Sequence, residues 1–291
     1  MLPSYKVVRC VMKKILKAFG FTEEPLSIVP FCSDEDGSAY NVWKVEYPHK
    51  TYVLKAAKGD ELFIYNTYLQ DKSVFAPALC GVARDQEKEY LLMEYISGED
   101  LRRCDRKKLT AVLDSLIAMQ SAFWDEKLPE NALNSRKNRY NFLLDPLLET
   151  VYQAYLSDCQ EIPATLCHDD LLPFNLLISN DRCVFIDWEV GGILPYPASL
   201  ARLIAHTEAC PDAFFYMSED DKLFAIDYYY EKLLANRGVA YKEYRRSLDL
   251  ALFYEYCEWV FVGNRYNTSD SPRFAKYVKL ARNKAKELGY S

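Results

Sequence analysis

The chain has no run approaching eighteen apolar residues, so no membrane-spanning helix is expected. It also lacks a basic excess. Its 36 Lys and Arg stand against 42 Asp and Glu, a net charge of -6, which disfavours general nucleic-acid binding. None of the nine cysteines forms a C-x-x-C pair, and their number is odd. That excludes a zinc-finger spacing or a disulfide framework and points to reduced, mostly buried thiols. Internal repeats, low-complexity tracts and long linkers are missing. The first residues, Met1 to Lys6, lead into a Lys-rich amphipathic segment without a signal-type apolar run, so a cytoplasmic location is expected.

What is present suits a globular protein with a large core, in one big domain or two lobes: 50% of the 291 residues are hydrophobic. Apolar residues at helical spacing predict a helix over 5–19, stopped by Gly20. Strands are expected over 26–31, 40–46, 51–56 and 90–96, with turn chemistry at 32–38 and 48–50. A helix opens after Gly59. Helices are then expected over 109–124 and near 141–157, 221–236, 242–262 and 272–288. This order predicts an α+β fold, with a small antiparallel β-rich lobe over 1–96 and a larger, mostly helical lobe over 97–291. A cleft between two such lobes is where a ligand is expected.

The most informative stretch is Cys167-His168-Asp169-Asp170-Leu171-Leu172-Pro173-Phe174-Asn175, followed by Phe185-Ile186-Asp187-Trp188-Glu189. A His-x-Asp, an Asn five residues on, and a later Asp after a short apolar strand suit phosphoryl transfer. Asp170 is the candidate base for a hydroxyl proton, and Asn175 with Asp187 offers the hard oxygen donors that Mg²⁺ prefers. His168 is expected to orient the loop, and Asp169 to cap a turn. Lys55, at a strand end, is the candidate phosphate-binding cation, with Glu61 as its partner. The turn over 33–39, with Gly37 and Ser38, could present backbone N–H groups to phosphates, although it holds a single glycine and the acids Asp34, Glu35 and Asp36. Glu94 and Ile96 would offer backbone groups to a purine edge beside Met93. His49 and His206 are read as ordinary residues.

Together these residues resemble the aminoglycoside phosphotransferase and choline kinase superfamily, which has the protein-kinase-like fold. The resemblance implies that Asp170 is the catalytic base and Asn175 and Asp187 the Mg²⁺ ligands. It assigns Lys55 to the nucleotide phosphates, Glu61 to its helix partner and Met93 to Ile96 to the adenine hinge. The implied activity is transfer of a phosphoryl group from ATP, or another purine nucleoside triphosphate, to a hydroxyl of a small molecule. Alternatives are a choline or amino-alcohol kinase, or a degenerate member that binds nucleotide without catalysis. The chain departs from the family at Asp169, Leu172 and Phe174, where Gly, His and Gly are frequent. It also has Ser199 where the family usually carries an Asp that braces the catalytic region. For a cationic acceptor, Tyr254, Tyr256, Trp259 and Phe261 could form an aromatic cage. Glu255, Glu258, Glu219, Asp220 and Asp221 could recognise amines instead. A core stripe with a solvated face is the alternative for that helix.

Overall fold

The computed structural model describes residues 5–33, 37–70, 74–85, 88–180 and 182–291, without the side chains of 5–11. The chain divides into two units, residues 1–98 with 184–190, and residues 99–183 with 191–291.

The first unit is built on a five-stranded antiparallel sheet. Its strands are β1 (Ser27–Cys32), β2 (Ala39–Glu46), β3 (Thr51–Ala56), β4 (Leu79–Asp85) and β5 (Lys88–Glu94), in the order β1-β2-β3-β5-β4. Helix α1 (Tyr5–Ala18) sends Met12, Ile15 and Leu16 into a core with Ile28, Trp43, Val45, Leu54 and Leu92. Pro30 is tolerated in β1 because that strand is at the edge of the sheet. Strand β4 was not expected from sequence. Its register shifts between Leu79 and Gly81, which breaks the alternation that marks a strand. After α2 (Glu61–Ile64) one widened helical turn runs over Tyr65–Leu69.

The second unit is mostly helical, with α3 (Arg106–Ala122), α4 (Asn134–Tyr140), α5 (Pro146–Glu161), α6 (Pro197–Ala205), α7 (Glu219–Tyr229), α8 (Tyr241–Arg265) and α9 (Pro272–Glu287). The starts are set by local chemistry. Asp105 and Asp145 accept backbone N–H groups at the heads of α3 and α5, and Ser218 and Ser271 do so for α7 and α9. Pro stands in the first turn of α5, α6 and α9, where its missing N–H costs nothing. Helix α4 was not expected, and neither were the bounds of α6. The first is polar all round, and Pro195-Tyr196-Pro197 reads as a loop although Pro197 opens α6. Strand β6 (Ala164–His168) pairs antiparallel with β9 (Gly191–Pro195), placing His168 opposite Gly191. Strands β7 (Leu176–Ser179) and β8 (Arg182–Phe185) lie between them in sequence. Among the described residues no helix is long and apolar enough to cross a membrane.

Gly263 of α8 lies against Phe274 of α9. A Cβ there would overlap the Phe274 ring. Gly263→Ala is therefore expected to destabilise the protein by about 1–3 kcal/mol through overpacking, read as a lower midpoint in urea unfolding. An unchanged midpoint would mean that the ring moves aside without cost.

Candidate active site

In the first unit, Lys55 ends β3 with only 5% of its surface exposed. Its Nζ lies 2.7 Å from Glu61 Oε1 and 2.5 Å from Asp187 Oδ1. Burial disfavours the cation, but the two carboxylates outweigh it and hold the Lys55 pKa above the ordinary lysine value. Burial pushes the Glu61 carboxyl up against the pull of Lys55, and its Oε2 is buried without a hydrogen bond. The turn before α2 is held to the segment after β8, with the Asp60 N–H donating to the Glu189 carbonyl at 3.2 Å. Gly59, at φ +51°, fits there because any Cβ would overlap that carbonyl oxygen. Asp187 itself adopts φ +64°, a left-handed conformation uncommon outside glycine. It is fixed from both sides. The Phe185 N–H donates to the Phe75 carbonyl at 2.8 Å, and the buried Trp188 indole donates to the Phe185 carbonyl at 2.9 Å.

Of the phosphate-turn residues, Asp34, Glu35 and Asp36 lie outside the described residues. The Gly37 N–H donates to the Ser33 carbonyl at 2.9 Å, and the Ser33 N–H to that of Ser38 at 2.8 Å. The turn thus spends these two amides on itself. In the purine-edge segment the Glu94 N–H is bonded to the Ala78 carbonyl at 2.9 Å, and Met93 is buried.

In the second unit the loop after β6 is organised by its own polar groups. The His168 Nδ1 accepts the Asp170 N–H at 3.3 Å, which is the orienting role expected of it. The Asn175 Nδ2 donates to the Asp170 carbonyl at 2.8 Å and to Asp170 Oδ2 at 2.9 Å. An amide that gives its NH₂ group to Asp170 keeps its oxygen for a cation. Ser199 stands where the resemblance implies an Asp. It is fully buried, and its hydroxyl accepts the His168 N–H at 2.9 Å.

Three features were missed or misread in the sequence. Arg202 on α6 donates to Asp170 Oδ1 from Nε at 3.0 Å and from Nη2 at 2.5 Å, while its Nη1 reaches Glu255 Oε2 at 2.9 Å. Glu255 and Asp170 hold the guanidinium charged against the cost of burial, and Arg202 holds the Glu255 carboxyl below its ordinary range despite burial. His206 is not an ordinary residue. Its Nε2 lies 3.3 Å from Glu255 Oε2, and its Nδ1 lies 2.7 Å from the Tyr277 hydroxyl on α9. Asp169 does not cap a turn. It pairs with the fully buried Arg136, and burial holds its carboxyl above the usual range.

The expected aromatic cage does not form. Tyr254 stacks on Tyr155 and lies 4.7 Å under the Arg136 guanidinium. Trp259 stacks on Tyr277 with Arg273 at 4.5 Å, and Phe261 packs edge-on against Phe142 with Arg139 at 5.5 Å. All of the acids but Asp220 are paired within the chain too. Glu258 lies 2.6 Å from Arg139, Glu219 lies 3.0 Å from Lys222 and Asp221 lies 2.8 Å from Arg106.

The family model described as "Phosphotransferase enzyme family" matches residues 34–216. The chain belongs to that family. A curated relative, Protein LicA of Haemophilus influenzae, is 31% identical over 72 residues, 25% of this chain and 27% of that protein. The matched segment thus spans about a quarter of the curated relative. Among solved structures, the choline kinase LicA from Streptococcus pneumoniae superposes with a TM-score of 0.61 at 15% identity, covering 97% of this chain and 99% of that chain. A thermostable variant of aminoglycoside phosphotransferase APH(4)-Ia, in complex with ADP and hygromycin B, gives 0.58 at 14% identity over 96% and 97%. The two-lobed protein-kinase-like fold expected from sequence is thus the fold of this chain.

Glu258 supplies a pH signature. Burial pushes its carboxyl from the ordinary 4.5 to about 7, against the pull of Arg139. Between those values the folded state holds a proton that the unfolded chain has released, so this group makes stability fall as pH rises through the window. Glu258→Gln should flatten that part of the profile. The Tm of wild type relative to the variant is expected to be higher at pH 5 than at pH 8, and the opposite order would contradict the assignment.

Proposed function

We propose that this phosphotransferase moves the γ-phosphoryl group of a purine nucleoside triphosphate, ATP in the first instance, to a hydroxyl of a small molecule. The observation that carries the reading is the state of Asp170. Asn175 and Arg202 fix its carboxylate, with two guanidinium N–H groups directed at Oδ1 and one amide N–H at Oδ2. An oxygen with two donors has its lone pairs engaged, so Oδ2 is the atom with capacity left for an incoming hydroxyl. The acceptor hydroxyl donates to Oδ2. As its oxygen bonds to the γ-phosphorus and the bond from that phosphorus to the β,γ-bridging oxygen breaks, its proton passes to Oδ2.

Asn175 and Asp187 are the residues suited to Mg²⁺. One offers an amide oxygen, the other a carboxylate whose Oδ1 already meets Lys55, and both are hard donors. When bound, the ion would neutralise phosphate charge as it develops. Lys55 is suited to the nucleotide phosphates. Glu61 positions it, and the backbone at Glu94 and Ile96 is suited to the purine edge. ADP bound to the similar APH(4)-Ia supports the nucleotide. Catalysis is favoured over a degenerate binding role because Ser199 supplies a hydrogen bond to the catalytic strand where the family's Asp is missing. A cytoplasmic location fits the free thiols of the eight described cysteines, five of them buried.

Asp170→Asn is expected to lower phosphoryl transfer by about 10²–10⁴-fold, as loss of a general base does, with Mg·ATP affinity retained. The check is ³¹P NMR of the phosphorylated product from a panel of alcohols, alongside nucleotide titration. A loss below tenfold would remove Asp170 from the base role.

A further inference from the structure

Four of the five acids and three of the four aromatic faces that could recognise a cationic acceptor in the second unit meet cations of the chain itself. The decisive pairing is at the base. Arg202 places its guanidinium 2.5 Å from Asp170 Oδ1 and 2.9 Å from Glu255 Oε2, and its side chain is 20% exposed. It spans two carboxylates that would otherwise form an anionic site for an ammonium group. Tyr254 and Trp259 are likewise covered by Arg136 and Arg273.

We propose that Arg202 is a specificity-determining residue that stands in place of a cationic substrate group, so that the acceptor carries a neutral or anionic group, and no ammonium, beside Asp170. Three arguments support this. Asp170 Oδ1 receives two N–H groups from Arg202, so an ammonium could bind it only by displacing the guanidinium. Glu255 is 2% exposed and already engages Arg202 and His206, so it has no exposed charge to offer. A second cation at this distance from a guanidinium would meet like-charge repulsion in a partly buried site. A hydroxyl on a neutral or anionic molecule meets none of these costs at Oδ2.

The inference rests on the reading of Asp170 as the base that the acceptor must reach, but its test needs no turnover. Calorimetric titration of the full chain, saturated with Mg²⁺ and a non-hydrolysable ATP analogue, would compare choline with its carbon isostere, in which carbon replaces the quaternary nitrogen. Wild type is expected to show less than a twofold preference for choline, including the case in which neither binds. Arg202→Gln, which frees Asp170 and Glu255, is expected to gain at least a tenfold preference for choline. A wild-type preference of twofold or more overturns the proposal, as does a folded variant that gains less than tenfold. Should Arg202→Gln fail to fold, the wild-type comparison decides alone. Complete absence of phosphoryl transfer would defeat the phosphotransferase reading and leave this ratio standing. Transfer to choline in preference to the isostere would defeat this inference alone.

Discussion

The arrangement of the second unit depends on holding one carboxylate in a fixed orientation. Asp170 is gripped on one oxygen by an arginine from α6 and on the other by an asparagine from its own loop. Bringing Arg202 out of water requires compensation, because an unpaired buried guanidinium would cost several kcal/mol. Glu255 from α8 supplies it, and His206 and Tyr277 extend the network to α9. Three helices are therefore in register with the loop after β6 through polar contacts, in addition to their apolar packing. The neighbouring Asp169–Arg136 pair ties the same loop to α4.

The first unit uses the same device with the charges exchanged. Two carboxylates converge on one buried lysine, and the lysine stays charged because both are present. The backbone is shaped to allow it. Asp187 is held in a left-handed conformation by the anchoring of Phe185 and Trp188, and the turn at Gly59 meets the Glu189 carbonyl without a Cβ between them. Local backbone strain at a candidate phosphate and metal residue is the kind of cost that surrounding structure has to offset.

The residues readable in sequence were those whose partners are close in the chain or fixed by strand ends. His168, Asp170 and Asn175 lie in one loop, and the Lys55–Glu61 pair joins a strand to the next helix. Arg202 and Arg136 were not readable, because their partners are more than thirty residues away and nothing local marks either as a ligand of the loop. Of the two readings of α8, helix geometry alone favours the core stripe over the aromatic cage. At 100° per residue, Tyr254 and Phe261 share one face of α8 and Tyr256 and Trp259 another, so the four cannot surround one ligand. Strand β4 and the bounds of helix α6 were hidden by a bulge at Gly81 and by a Pro-x-Pro that opens a helix.

The most direct test of the central interaction is a double-mutant cycle in denaturant unfolding, comparing wild type, Asp170→Asn, Arg202→Met and the double variant. A charged, partly buried pair holding Asp170 in place predicts a coupling of about 1–3 kcal/mol between the two sites. Additive effects, with coupling near zero, would show that Arg202 does not hold Asp170 and would contradict the account.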